Sequence, residues 1–106
     1  MFARKLEFDI KLEKKEELIR KIREDVLTIL KKQNGFFDMM MLFHEMKQEK
    51  FLVISLWEDK IHADRYAKEV FPKINDMLKP YLITPIVVTP HNVETRVSQR
   101  VIAVAA

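Results

Sequence analysis

Trp57, His62 and Tyr66 are the side chains best suited to chemistry on a small aromatic molecule, and they fall together in FLVISLWEDKIHADRY, residues 51–66. If the segment after Trp57 is helical, His62 and Tyr66 lie one turn apart and share a surface. An imidazole exchanges protons near neutral pH, and a phenol beside it can hold a substrate oxygen. With the Trp57 indole stacked on the substrate ring, the group can bind and deprotonate an acidic phenol. The resulting electron-rich anion can pass an electron directly to dioxygen, which calls for neither metal nor flavin. The competing reading is structural: Trp57 plugs the core and His62 rides the wet flank of a helix.

Phe43, His44 and Val70 complete the expected substrate-binding set. His44, set between Leu42 and Met46, is also read as a satisfied core or interface histidine. His91 follows Pro90 in a loop and is expected in solvent. The histidines sit on separate elements without carboxylates at ligand spacing, so no metal site is expected. Met39, Met40 and Met41 could line an adaptable pocket, but such a run reads first as core and interface. Glu58-Asp59 reads as a helix start rather than an acid pair. The chain shows no glycine-rich phosphate loop and no nucleophilic serine context.

Around these residues the elements follow from periodicity. Phe2, Leu6, Phe8, Ile10 and Leu12 alternate with charge, which makes a strand with one apolar face, placed nearer a sheet edge than its centre. From Lys14 the period changes, and Leu18, Ile22, Val26, Ile29 and Leu30 recur at helical steps. Lys31-Lys32 suit the negative end of the helix dipole, and Asn34-Gly35 supplies a left-handed stop. A second strand runs from Phe36 to about Lys47, and a polar turn leads into a third, Phe51–Trp57. Asp59 caps the next helix, whose inward face holds Ala63, Tyr66, Ala67 and Val70. Pro72 starts a separate helical segment with Ile74, Met77 and Leu78 inside, and Pro80 closes it. Leu82–Thr89 reads as irregular or edge structure, Val93, Thr95, Val97 and Val101 as a last strand, and residues 98–106 as an extended tail.

Composition narrows the classes. A chain of 106 residues is one domain, 1–106, with core enough to stand without staples. The absence of cysteine excludes disulfides and thiolate chemistry, and makes the cytoplasm the expected compartment. The charged N-terminus is not a signal peptide, and no apolar run reaches the ~20 residues that span a bilayer. A net charge of +3, with signs interleaved along one helix, argues against nucleic acid. Phe51–Trp57 also lacks the glycine and basic residues of an RNA-binding strand.

The order β-α-β-β-α-β is the α+β, ferredoxin-like layout, with a four-stranded antiparallel sheet and both helices on one face. Strands 39–43 and 51–57 are apolar on both faces, and a single chain owns helices for only one. A second copy is therefore expected to cover the other, as a two-fold homodimer.

Asn34-Gly35-Phe36, the strand 51–58 ending in Trp57-Glu58, Tyr66, and Val70-Phe71-Pro72-Lys73-Ile74 resemble the antibiotic biosynthesis monooxygenase-like family of dimeric α/β-barrel proteins. The resemblance covers residues 2–97. It implies a barrel built from two subunits, with activities that include cofactor-free oxygenation of polycyclic aromatic or quinol substrates and haem degradation. Haem-degrading members carry an Asn in the first strand, a Trp in the second helix and an axial His after it. The corresponding positions here are Leu6, Tyr66 and Asn75 or Asp76, so haem cleavage of that kind is not expected. The quinol oxygenases place an Asn four residues before the strand Trp, where this chain has Val53. The reading reached is a monooxygenase-like domain that binds, and in its catalytic form oxidises, a small aromatic or quinone-like compound, with His62 and Tyr66 as catalytic residues and no cofactor. The alternative is a non-catalytic binding or accessory dimer on the same fold.

Overall fold

A computed structural model describes residues 1–97. The expected tail 98–106, and Val101 with it, lie outside the described residues. The strands are β1 (Phe2–Asp9), β2 (Phe36–Phe43), β3 (Lys50–Trp57) and β4 (Val87–Asn92). They form one antiparallel sheet in the order β2-β3-β1-β4. Between β1 and β2 runs a continuous helix made of α1 (Lys15–Lys21), a π-helical segment (Ile22–Val26) and α2 (Leu27–Lys31). After β3 come α3 (Lys60–Glu69) and α4 (Phe71–Leu78). This is the expected β-α-β-β-α-β fold.

The π segment has a cause in the sequence. Leu18, Ile22, Val26 and Leu30 are all buried, yet they are spaced by fours. In a regular α-helix each four-residue step overshoots one turn by about 40°, which would carry Leu30 far around from Leu18. A wider π turn in the middle absorbs that drift and keeps the row on the sheet. These residues join Phe2, Leu6, Phe8, Phe51, Val53, Trp57, Ala63, Tyr66, Ile74 and Leu78 in one core between helices and sheet.

Three boundaries differ from the sequence expectation. First, β1 lies inside the sheet, between β3 and β4. Its alternation reports one face left uncovered, not an edge. Second, β2 stops at Phe43, because the next residues fold into a turn in which His44 Nδ1 accepts from the backbone N–H groups of Met46 and Lys47, each at 3.0 Å. Third, the last strand is Val87–Asn92, not the stretch from Val93. It contains Pro90, tolerated because β4 is an edge strand and the missing N–H falls where no ladder partner is required.

The face opposite the helices is divided. On β2 and β3 it carries Met40, Leu42, Leu52, Ile54 and Leu56, with Met40 and Leu42 exposed. On β1 it carries Lys5 and Glu7, paired at 3.7 Å.

Asn34-Gly35 ends the first helix as expected, with Gly35 at φ 81°. Gly35 also has no room for a side chain, since a Cβ there would fall 2.5 Å from His62 Cβ. Gly35→Ala should therefore lower stability by about 1–3 kcal/mol in urea unfolding. Gly35→Asn, which tolerates positive φ but keeps the clash, should also destabilise. A wild-type midpoint for both variants would contradict this packing.

Candidate active site

β3 alternates strictly. Phe51, Val53, Ser55 and Trp57 point into the core, while Leu52, Ile54 and Leu56 face away. Trp57 ends the inward row and is fully buried. Its ring lies 4.6 Å from the Tyr66 ring, tilted by 30°, and the Phe36 ring meets it edge-on at 5.6 Å. Its indole N–H donates to Ser55 Oγ at 3.0 Å. Both the faces and the N–H of Trp57 are thus engaged within the chain, and its direct effect is to seat Tyr66.

The Trp57–Tyr66 contact fixes α3, and the cap of α3 fixes His62. Asp59, just before the helix, accepts from the His62 backbone N–H at 2.9 Å. The same Oδ1 lies 2.7 Å from His62 Nδ1. These bonds, the backbone one first, hold the Asp59 carboxyl below its ordinary pKa. With Nδ1 engaged by the carboxylate, Nε2 is the nitrogen left for other work. Glu58, Asp59 and His62 also bring three potential metal-ligand atoms within 4.8 Å of one another, though the Asp59 oxygen and His62 Nδ1 are committed to the cap.

His62 and Tyr66 line one crevice of about 150 Å³, together with Asn34, Arg65 and Glu69. Tyr66 forms its buried floor at 6% exposure. Burial pushes the Tyr66 phenol up to about 12, with the Arg4 charge acting in the opposite direction. Tyr66 is therefore a hydrogen-bond donor near neutral pH rather than a base.

The other expected site residues are elsewhere. Val70 caps α3 beside Tyr66, with its N–H on the Tyr66 carbonyl at 2.9 Å. Phe43 pairs with Phe51 at the opposite end of β3, roughly 20 Å away at ~3.3 Å per residue. There it packs edge-on to Phe51 at 4.4 Å and lies under Lys15 Nζ at 4.0 Å. Phe43 and His44 line a separate groove of about 550 Å³, with Asp9, Leu42 and Lys50. The expected set thus divides into Trp57, His62, Tyr66 and Val70 at one end, and Phe43 and His44 at the other. Between helices and sheet only about 30 Å³ remains, bounded by Leu6, Val26, Met39, Ser55 and Tyr66.

Sequence reasoning passed over Arg4. It is 7% exposed, in the inward register of β1 between Phe2 and Leu6. Its guanidinium carbon lies 5.4 Å from the Tyr66 ring centre and 4.9 Å from that of Phe71. The available signal was a charge standing in the apolar register of an alternating strand.

The chain is thus an α+β, ferredoxin-like domain whose second helical region carries an oriented histidine and a buried tyrosine. The family pattern named antibiotic biosynthesis monooxygenase matches residues 1–69, and the chain belongs to that family. No curated protein sequence matches it. Among solved structures, it is similar to a cofactor-independent oxygenase, SnoaB from Streptomyces nogalater, at 13% identity and TM-score 0.71, covering 92% of this chain and 97% of that one. A Streptomyces coelicolor monooxygenase from the gene ActVA-Orf6, in complex with nanaomycin D, gives 12% identity and TM-score 0.74, covering 93% and 92%. A conserved protein from Methanosarcina mazei Go1 gives 17% and 0.70, covering 86% and 91%. Identities this low establish a shared fold.

The Tyr66 environment has a measurable consequence. From its ordinary 10.0 to about 12, the unfolded chain loses the phenolic proton while the folded chain keeps it. Stability should then fall as pH rises through that window, by roughly 2–3 kcal/mol, while nothing is lost below it. Tyr66→Phe should remove this component in paired unfolding curves at pH 9 to 12. An equal alkaline decline in both proteins would show that Tyr66 is not held neutral.

Proposed function

We propose that this protein binds a small aromatic or quinone-like compound and oxidises it with dioxygen, without metal or flavin. The observation that carries this reading is the Asp59–His62 pair beside Tyr66 in one crevice. Asp59 orients the imidazole, His62 takes the acidic proton of the substrate, and neutral Tyr66 donates a hydrogen bond to the oxygen on which charge develops. The anion then gives an electron to dioxygen. For a substrate with an acidic CH₂ between aromatic rings, the balance is one dioxygen consumed, CH₂ converted to C=O, and one water released. The fold shared with a cofactor-independent oxygenase supports the reading.

A second reading, a non-catalytic binding or accessory protein, is favoured by the groove of about 550 Å³ at Phe43 and His44, which exceeds the ~300 Å³ of an ordinary ligand pocket and lies at the far end of β3 from His62 and Tyr66. In either case a second copy covers the apolar half of the open sheet face, where Met40, Leu42, Leu52, Ile54 and Leu56 lie together. No helix among the described residues is long and apolar enough to cross a membrane. With no cysteine to oxidise, the cytoplasm is the compartment we propose.

Oxygen uptake with a panel of anthrones and hydroquinones separates the two readings. Turnover should fall by about 10²–10⁴ in His62→Ala and less in Tyr66→Phe. No uptake with any substrate, or uptake indifferent to His62, favours the binding protein. Light scattering at micromolar concentration should give a dimer, and a folded monomer there would remove the second copy from the account.

A further inference from the structure

The groove of about 550 Å³ at His44 takes no part in the proposed oxidation. Its floor is apolar, from the cross-strand pair Leu42 and Leu52 on the open face of the sheet. Its rim carries both signs of charge. Asp9 and Lys50 stand opposite each other in the β1–β3 ladder, and Glu7 lies two residues from Asp9 on the same face. Both carboxylates are loosely paired, Asp9 with Lys50 at 3.5 Å and Glu7 with Lys5 at 3.7 Å. A charge-assisted hydrogen bond is closer, at about 2.7–2.9 Å. His44 is fixed as a donor: its Nδ1 accepts the backbone N–H groups of Met46 and Lys47, which leaves the ring proton on Nε2. The rim thus sets two acceptors, Glu7 and Asp9, and two donors, Lys50 and His44, around one apolar floor.

We infer that this groove binds a free α-amino acid with an aliphatic side chain, of the leucine type. Such a molecule carries an ammonium and a carboxylate on one carbon. It can therefore enter the loose Asp9–Lys50 pair and give each side chain a closer partner of opposite sign. Its ammonium goes to Asp9 and Glu7, its carboxylate to Lys50 Nζ and the His44 Nε2–H, and its side chain onto Leu42 and Leu52. An amine or an acid alone satisfies only half of the rim. The inference deepens the binding-protein reading, which rests on the same groove, by naming the ligand class.

The test is calorimetric titration of the full chain with L-leucine, with leucinamide, which lacks the carboxylate, and with N-acetyl-leucine, which lacks the ammonium. Wild type should bind leucine at least about tenfold more tightly than either analogue. Asp9→Asn should weaken leucine and leucinamide and spare N-acetyl-leucine. Lys50→Met should weaken leucine and N-acetyl-leucine and spare leucinamide. Both side chains are partly exposed, and the backbone bonds of Asp9 to Thr84 and Ile83 do not use its carboxylate, so the substitutions keep the fold. Leu42 and Leu52 also belong to the face proposed for a second copy, so light scattering is read alongside and should show no fall in mass on adding leucine. Equal affinity for the three ligands, no binding of leucine, indifference to both substitutions, or dissociation by leucine overturns the inference. Oxygen uptake does not involve this groove and decides the oxygenase reading whatever leucine does. Failure of leucine removes this ligand class and leaves the choice between the two readings to that measurement.

Discussion

The sealing of one indole is the constraint on which the rest of this molecule depends. Trp57 is buried completely, so both of its faces and its N–H had to find partners inside the chain. Phe36, at the start of β2, meets one part of the ring, Tyr66 lies over another, and Ser55 two residues back accepts the N–H. Each aromatic contact adds about 0.5–1.5 kcal/mol beyond area burial. The larger effect is geometric. Tyr66 can reach Trp57 only if α3 crosses the sheet at that height, and this sets Asp59 and His62 at the rim. Gly35 then has to be bare because His62 occupies the space a side chain would take.

Much of this arrangement could be read from residue order. The alternation in 51–57 gave the strand, its inward face and the position of Trp57 at its end. The apolar steps of the first helix gave its buried row, and Asp59 and Pro72 marked the starts of the helices that follow. Where the reading failed, the cause was local ambiguity settled by distant contacts. A strand with one charged face looks the same at an edge and in the middle of a sheet whose far side is open, so β1 was misplaced. Val87–Asn92 contains a proline, and only its position at the edge beside β1 makes a strand of it. The close approach of Gly35 to His62 joins residues far apart in sequence and leaves no local signal.

The site was partly legible for the same reason. His62 and Tyr66 are related by a helical period, and that relation survived folding. Phe43 and His44 were grouped with them through shared chemistry alone, but β3 runs its full length between the two groups, and His44 is occupied in closing a turn. Arg4 was visible as a charge in an apolar register. Its lack of an ion-pair partner among the described residues was not, because that depends on which side chains converge from α3, α4 and β4. Membership in the antibiotic biosynthesis monooxygenase family accounts for the layout. The Asp59–His62 pair and the buried Arg4 are what this particular chain places upon it.

Because the chain has a single tryptophan, its fluorescence reports this one position. The most direct measurement is the emission spectrum with acrylamide quenching under native conditions. A sealed, stacked Trp57 should emit to the blue of its unfolded spectrum and resist the quencher until the protein unfolds. Emission and quenching in the native protein equal to those of the unfolded chain would mean the indole is in water, and the seating of α3, His62 and Tyr66 described here would be wrong.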